Sequence, residues 1–519
     1  MKQIIISLSI CLCKLSIAQQ FEVLYDHNGF SNDGGSIVKT DAGYFTTHLA
    51  TDPVLSYTTL VAAFDEQGAL LWDTSLSNPT ETFSQPNWNV NILVNQTSQF
   101  YWILGNHSLA GDTELLPFLN KFTIDGQPIE IIVLDTLVNQ RPDAWGGILN
   151  ESGMYLLCRD RTLGGNHELL IAKCSLDGQY EWHLTYDTGF TFKPKCIVDV
   201  GDGFIVGGSR YATLTDQGNG DGQQYIRKFN YSGVSQWTNT MAYADNINLG
   251  AIGIVKLDNG NYLFAGTKYI DYVSMQPLIG ELDAATGDTL WTKIYFESEP
   301  YDPDNLDDFN SVNRIHGFKK LQSGGYIGVG ECMHEIIPGS IADPLDNAAL
   351  MMKLDDEYNL LWKRIYVPIS YAELEASQAQ CQLNDFVEND DGSITAIGRV
   401  YMYTGTGPQG GYIQDSYLIR VDSLGCLVSG CSVGMTEFES VQNLLVYPNP
   451  ATSTITIEFP QRDNWDVEIY DCQGQLAAHE KYRQSVKNNF DIHNLPSGIY
   501  TIKCRGENGT LSINKLIKE

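Results

Sequence analysis

One phrase, written seven times, governs what this chain can fold into. It runs as an apolar stretch, a glycine-rich turn, an aromatic-led strand, a second strand, and a turn followed by a Trp-bearing strand. The endings carry it best: Asp65-Glu66-Gln67-Gly68-Ala69-Leu70-Leu71-Trp72, Asp177-Gly178-Gln179-Tyr180-Glu181-Trp182 and Ser232-Gly233-Val234-Ser235-Gln236-Trp237. Further copies end at Trp291 and Trp362, and a degenerate copy at Asp125-Gly126-Gln127 and a truncated one at Asp422-Ser423-Leu424-Gly425 complete the seven. The earlier half of each unit is marked by turns such as Gly201-Asp202-Gly203-Phe204, Asn259-Gly260-Asn261-Tyr262 and Ser323-Gly324-Gly325-Tyr326. A glycine then closes the strand that follows, as at Gly105, Gly207, Gly266, Gly330 and Gly398.

Short strands joined by Asp-Gly and Asn-Gly turns are hairpin chemistry, because these residues reach the positive φ that tight turns require. Copies recur every 52 residues (Gly126 to Gly178) to 72 (Gly287 to Asn359 in the sixth copy), too long for a solenoid coil and suited to four-stranded blades with loops. The expected fold is all-β: a seven-bladed β-propeller of four-stranded antiparallel blades, followed by a small immunoglobulin-like β-sandwich. A ring must fasten its last blade to its first or leave an open edge. The last copy stops after Gly425 without its Trp strand, and Phe21-Glu22-Val23-Leu24-Tyr25 aligns with Trp182-His183-Leu184-Thr185-Tyr186 and Trp362-Lys363-Arg364-Ile365-Tyr366. The seventh blade is therefore expected to draw on both chain ends, with each Trp acting as a packing anchor between blades.

The unit resembles the broad class of secreted propeller repeats that includes quinoprotein-type blades. The fifth copy, Leu282-Asp283-Ala284-Ala285-Thr286-Gly287-Asp288-Thr289-Leu290-Trp291, is the nearest to that family's docking phrase. The resemblance covers the blade skeleton, carries over no quinone or calcium ligands, and implies no cofactor.

Residues 1–18 open with Lys2, run apolar from Ile4 to Leu12 and close on Ser16-Ile17-Ala18, with small residues at the two positions a signal peptidase reads. This predicts a cleaved secretory signal, since the run is far shorter than the ~20 residues of a membrane span. No later segment reads as a transmembrane span. In an exported chain, Cys426 and Cys431 are the best candidates for a disulfide, being close in sequence with Gly430 between them. The formal charge of −31 repels phosphate backbones and anionic lipid heads, so nucleic acid is not an expected partner.

The C-terminal stretch carries four motifs in order. Tyr447-Pro448-Asn449-Pro450 precedes the alternating strand Thr454–Phe459; Val467-Glu468-Ile469-Tyr470-Asp471-Cys472-Gln473-Gly474 follows. Then come Leu495-Pro496-Ser497-Gly498-Ile499-Tyr500 and Lys515-Leu516-Ile517-Lys518. This resembles the type A C-terminal sorting domain of the type IX secretion system of Bacteroidota. The resemblance implies that Tyr447, Pro448, Asn449, Pro450, Gly474, Gly498, Tyr500 and Lys515 belong to the sorting motifs. It implies as partners the type IX translocon and its sorting machinery, and as destination the outer cell surface or the medium, reached via the periplasm. The domain plan is thus a signal peptide (1–18), a propeller (19–432), a linker (433–443) and a sorting domain (444–519). From Val446 onward there are 8 basic and 9 acidic residues, so the remaining 24 basic and 54 acidic residues put a net −30 on the propeller side.

A nucleophile elbow, a P-loop, an HExxH and a dinucleotide fingerprint are all missing from the sequence. Asp216-Gln217-Gly218-Asn219-Gly220-Asp221-Gly222 has some character of a calcium loop but lacks its first ligand in register and its distal Glu. Asp302, Asp304, Asp307 and Asp308 crowd another loop, and no metal or catalytic set is assigned. The expected function is binding of an extracellular protein or glycan. The alternative is a propeller hydrolase, such as a glycosidase drawing carboxylates from separate blades.

Overall fold

The structure, a computed structural model, describes the chain outside residues 1–19, 28–30, 53–55, 77–80, 85–91, 95–99, 110–114, 124, 141, 162–166, 188–190, 212–221, 242–247, 270–274, 297–312, 334–346, 368–377, 404–411, 428–444, 471–475, 507–510 and 519. The signal region, Cys431, Gly474, most of the calcium-like loop and the acidic loop lie outside the described residues. The chain divides into two compact units, one ending at Ser432 and the other beginning at Val433.

The first unit is a propeller of seven blades. Blade 3 shows the plan: Asp143–Asn150, Gly153–Asp160, Glu168–Cys174 and Tyr180–Tyr186 pair in chain order, all antiparallel. Blades 6 and 7 are joined into one eight-stranded sheet by a single parallel bridge, Asn347 to Gln380. Blade 7 is built from both chain ends, as expected: Gln378–Glu388, Ile394–Tyr403 and Tyr412–Val421 are completed by Phe21–Tyr25. Its register is telling. Phe21 pairs with Arg420, the penultimate residue of the third strand, just as Trp182 pairs with Lys173, Trp237 with Lys228 and Trp362 with Lys353. Phe21 therefore stands where the other blades place Trp.

The turn glycines explain why the phrase recurs. Each lies at positive φ and rests on the aromatic ring of the preceding blade, so that an added Cβ has no room. A Cβ on Gly126 would lie 1.7 Å from Trp72, on Gly287 2.5 Å from Trp237, on Gly425 3.0 Å from Trp362, and on Gly68 2.7 Å from Phe21. Blade 2 lacks the terminal Trp, and there Trp102 of its second strand and Ile132 fill the place against Gly178. The tryptophans that end the blades are inter-blade anchors, each received by the turn residue of the next blade, a glycine for Trp72, Trp182, Trp237 and Trp362.

In the sixth copy the sequence placed Asn359 at this position, and the structure corrects this to Tyr358, at φ 64°. Tyr358 N donates to Asp355 O (3.1 Å), the hydrogen bond that Gly68 makes to Asp65 and Gly425 to Asp422. A tyrosine is tolerated because its ring packs on Trp291 (5.0 Å between centroids) and Tyr326 (5.6 Å), while its carbonyl accepts from Lys293 Nζ and Tyr295 Oη, both at 2.7 Å.

We expect Gly287→Ala to destabilise the propeller by about 3 kcal/mol, combining positive-φ strain with overpacking against Trp237. Gly260→Ala supplies the control, because Gly260 has φ 91° but nothing within 4 Å of a new Cβ. It should cost only about 1 kcal/mol. Equal losses in denaturant unfolding would refute the docking contact.

The first strands of the blades contact one another around the axis. Six of them carry a β-bulge at the same place: Gly35, Trp145, Lys195, Ile252, His316 and Asn384 are the extra residues. A bulge bends the strand and re-aims a side chain. This corrects the sequence reading that a glycine closes the second strand. Gly207, Gly266, Gly330 and Gly398 lie within their strands, opposite the residue beside the bulge. A Cβ would meet Arg314 O at 1.9 Å from Gly330 and Gln382 O at 1.8 Å from Gly398. The glycine is there because the bulged backbone comes down onto it.

The second unit is one five-stranded sheet: Leu445–Tyr447, Thr454–Tyr470, Leu476–Asp491, Gly498–Gly506 and Leu511–Lys518. The two long strands lose register between Glu458 and Asp463 and again before Trp465. Ile455, Ile457, Phe459, Trp465, Val467 and Ile469 nevertheless all point into one core. The sheet therefore wraps around that core, and a parallel bridge from Ala451 to Lys518 brings it nearly to a barrel. The two layers of the expected sandwich are parts of this single curled sheet.

Candidate functional site

Two places carry possible function, one in each unit. In the propeller, inner-strand residues of blades 3 to 7 enclose a cavity of about 360 Å³ on the axis. Bulges place Trp145, Lys195, His316 and Asn384 in its wall, and Lys256, Lys319 and Lys320 follow further along the strands. Asp385 is the one carboxylate among the lining residues, and it already faces Lys319 Nζ at 2.5 Å and accepts from Ile37 N. Burial, with Lys193 and Arg314 nearby, lowers the Lys195 ammonium to about 8. Burial also lowers Lys193, with Arg159 adding to the effect. Towards the other end of the inner strands the charges are matched: Arg159 with Asp143 (2.7 Å), Arg399 with Asp33 (3.1 Å) and Arg314 with Glu331 (3.0 Å). Burial pushes the Glu331 carboxyl up, but His316, Arg314 and Arg399 outweigh it and hold the group down at about 2.

Nothing in the sequence pointed to this cavity. Lys193 and Lys195 alternate with Phe192 and Pro194, and such alternation reads as a solvent-facing edge; only ring closure turns that face inward. Buried Ser416 and His48 also meet (Oγ to Nδ1, 2.7 Å), but both are sealed between blades 7 and 1, where burial holds the imidazole down at about 3 and hence neutral. That pair is a structural pin. Among the described residues no group of three or more His, Cys, Asp or Glu is placed to hold a metal ion.

In the second unit the structure brings the separated motifs together. The Asn449 side chain clamps the last strand: its Nδ2 donates to Lys515 O (2.6 Å) and its Oδ1 accepts from Ile517 N (2.8 Å). Ala451 N donates to Ile517 O (2.9 Å). Tyr447, Pro448, Pro450 and Lys515 are exposed around this clamp, and the Tyr447 hydroxyl donates to Glu458. Tyr500, by contrast, is buried and donates to Pro496 O (2.8 Å), fixing the Pro-Ser-Gly turn before the exposed Gly498. The motif residues thus divide into a framework (Asn449, Tyr500) and a displayed set. Cys426 is disulfide-bonded, and its candidate partner Cys431 lies outside the described residues.

No curated protein matches the chain. Among solved structures, the subtype N11 neuraminidase-like protein of A/flat-faced bat/Peru/033/2010 (H18N11) is similar at 11% identity and TM-score 0.38, over 78% of this chain and 94% of that one. The subtype N10 neuraminidase-like protein of A/little yellow-shouldered bat/Guatemala/060/2010 is similar at 10% identity and TM-score 0.34, over 63% of this chain and 91% of that one. Likeness this slight carries no inference about activity. The C-terminal unit is different: residues 445–519 match the family described as the secretion system C-terminal sorting domain. The chain therefore ends in a type IX secretion sorting domain, which marks it for export to the cell surface or the extracellular space.

Proposed function

We propose that this is an exported propeller that binds a protein or polysaccharide outside the cell without turning it over. The observation that carries this reading is the composition of the axial cavity. Most glycosidase families use two carboxylates flanking one bond; among the described lining residues there is only Asp385, and Lys319 already occupies it. The repeat residues, moreover, are spent on packing. Residues 1–18 act as the signal peptide, 19–432 as the propeller, 433–443 as the linker and 444–519 as the sorting domain. Cys426 pairs with Cys431. The displayed residues Tyr447, Pro448, Pro450, Gly498 and Lys515, together with Gly474, which lies outside the described residues, meet the sorting machinery on a frame held by Asn449 and Tyr500, in a Bacteroidota host.

The test is to screen the purified mature protein against immobilised glycans and surface proteins alongside a panel of synthetic glycosides. Saturable binding without product release is the expected result. Turnover of any glycoside, abolished by substitution within the propeller, would overturn the reading.

A further inference from the structure

The outer strand of blade 6, Leu360–Tyr366, differs from its counterparts in charge. It reads Leu-Leu-Trp-Lys-Arg-Ile-Tyr, with two cations and no carboxylate, whereas Asp73, Glu130, Glu181 and Glu22 stand in the outer strands of blades 1, 2, 3 and 7. Arg364 Nη1 donates to Lys363 O (3.3 Å), but its Nε and Nη2 are buried without an acceptor, and so is Trp362 Nε1. Other blades satisfy that indole: Trp237 Nε1 donates to Ala284 O (3.0 Å) and Trp291 Nε1 to Glu281 Oε2 (2.8 Å). Glu281 is the cross-strand partner of Trp291, and in blade 6 that place is taken by Lys353. Equivalent cations in other blades meet an acid: Lys173 with Glu181 (2.8 Å), Lys228 with Asp202 (2.9 Å) and Arg420 with Asp391 (2.7 Å). Among the described residues neither Lys353 nor Arg364 has a carboxylate within ion-pair distance. The facing turn holds Asp422, whose Oδ1 already accepts from Leu424 N and Cys426 N. Lys363, on the other face of the strand, donates to Asn313 Oδ1 (2.7 Å) and lies 4.5 Å above the ring of Phe296.

A cation that merely guards a sheet edge stands in water. The Arg364 fork does not, and N–H donors removed from water with nothing to accept them cost free energy until an acceptor arrives. The Nε–Nη2 edge is the side of a guanidinium that takes a carboxylate through two parallel hydrogen bonds. The strand itself is open, because among the described residues Leu360–Tyr366 pairs with Asn347–Leu354 on one side only. Leu361 and Ile365, on the face away from Arg364, are 52% and 37% exposed. An unpaired edge with apolar side chains along it is a template for another strand.

We propose that the outer edge of blade 6 takes an extended acidic segment of an extracellular protein as an added strand, one carboxylate meeting Arg364 beside Trp362 and apolar residues lying along Leu361 and Ile365. This names the partner class for the binding role proposed above and rests on that reading. Strand addition dictates the alternation: one set of side chains faces Trp362 and Arg364 and the other faces Leu361 and Ile365, so the segment is acidic and apolar in turn. Lys353, across from Trp362, adds its charge to the acidic side. A protein segment is favoured over an acidic polysaccharide because Trp362, 6% exposed, offers no ring face on which a sugar could stack, while the strand offers its backbone. No bond is made or broken.

Fluorescence anisotropy on the mature chain tests the proposal with three short labelled peptides: alternating Glu-Val, alternating Lys-Val, and Glu-Val with a central proline. The Glu-Val peptide should bind saturably and the Lys-Val peptide should not; the proline, which removes a ladder donor, should weaken binding about tenfold or more. Arg364→Gln should also weaken it about tenfold or more, as should Leu361→Glu, which sets a like charge against the peptide. Leu290→Glu, at an equally exposed leucine (52%) on the outer strand of blade 5, should leave the affinity unchanged. Should Arg364→Gln not fold, Leu361→Glu reads the same edge. Absence of saturable Glu-Val binding at ~1 mM, or undiminished affinity in a folded Arg364→Gln, Leu361→Glu double variant, would overturn the proposal. So would polygalacturonate binding that Arg364→Gln abolishes while the peptide fails, which would give the seat to a polysaccharide. Peptide-free dimerisation abolished by Leu361→Glu would give the edge to a second copy and overturn it as well. Hydrolysis of a glycoside would sink the non-catalytic reading and leave the edge standing, whereas a positive glycan screen without peptide binding would do the reverse.

Discussion

A mature chain begun at Asp26, and so lacking Phe21–Tyr25, should be destabilised by about 5 kcal/mol and should aggregate on mild warming. Three losses add up. Five residue pairs to Tyr412–Val421 vanish, from Phe21 with Arg420 to Tyr25 with Ser416. Tyr25, only 6% exposed, leaves its place between Phe64 and His48, and Phe21 and Val23 leave the same cluster. Each large apolar side chain is worth roughly 1.5–3 kcal/mol on burial. The hydrogen bonds from Tyr25 Oη to Asp73 (2.6 Å) and from Tyr417 Oη to Glu22 (3.0 Å) go as well. What remains is worse than a gap: the strand Tyr412–Val421 becomes an open edge, a template for pairing with another chain. Thermal melting with light scattering reads both effects. A truncated form with unchanged melting temperature and no added scattering would show that the ring does not depend on its N-terminal strand. Tyr25→Ala should produce roughly half the loss without exposing the edge.

Removing residues 444–519 should leave a folded propeller stranded in the periplasm. The second unit has its own core around Trp465, where Phe459 stacks at 4.9 Å, and its own closing bridge, so neither feature is taken from the propeller by the cut. Export is the whole effect: full-length protein should reach the medium or the cell surface, and the truncated form should fall below detection there while accumulating inside the outer membrane. Fractionation of the native host, with both chain ends read by mass spectrometry, is the measurement. Equal surface levels of the two forms would refute the role of the tail. A truncated form that aggregates would show instead that the boundary was drawn in the wrong place.

Blade number, strand order and the union of both chain ends in blade 7 were legible because each is written in local letters: turn residues, alternating strands and an aromatic at a fixed offset. The turn itself tolerates variation in those letters. Asp65 caps it by accepting from Gln67 N and Ala69 N, and Asn230, Asp283, Asp355 and Asp422 do the same for their own turns. That interchangeability is why the sixth copy was misaligned by one residue, on Asn359 where Tyr358 belongs. The bulges were illegible for a different reason: a bulge is a mismatch between two strands and has no signature in either alone. The cavity lysines were hidden with them, since nothing in Phe192-Lys193-Pro194-Lys195 says which face the ring turns inward. In the second unit, four motifs announced the domain, but the Asn449 clamp joins residues 66 and 68 positions apart and could only be seen folded.

The docking of each turn glycine on the aromatic before it also sets the order in which the ring assembles. Trp72 and Gly126 are 54 residues apart, Trp237 and Gly287 are 50, and Phe21 and Gly68 are 47, so joints between neighbouring blades close short loops. An arc of blades can therefore grow from any point by local steps. The pairing of Phe21 with Arg420 is another matter, since 399 residues separate them. Low contact order along the arc and one very distant ladder at the seam make the seam the slow step. Until it zips, the protein is an open spiral with a bare strand at each end, Tyr412–Val421 at one and Phe21–Tyr25 at the other.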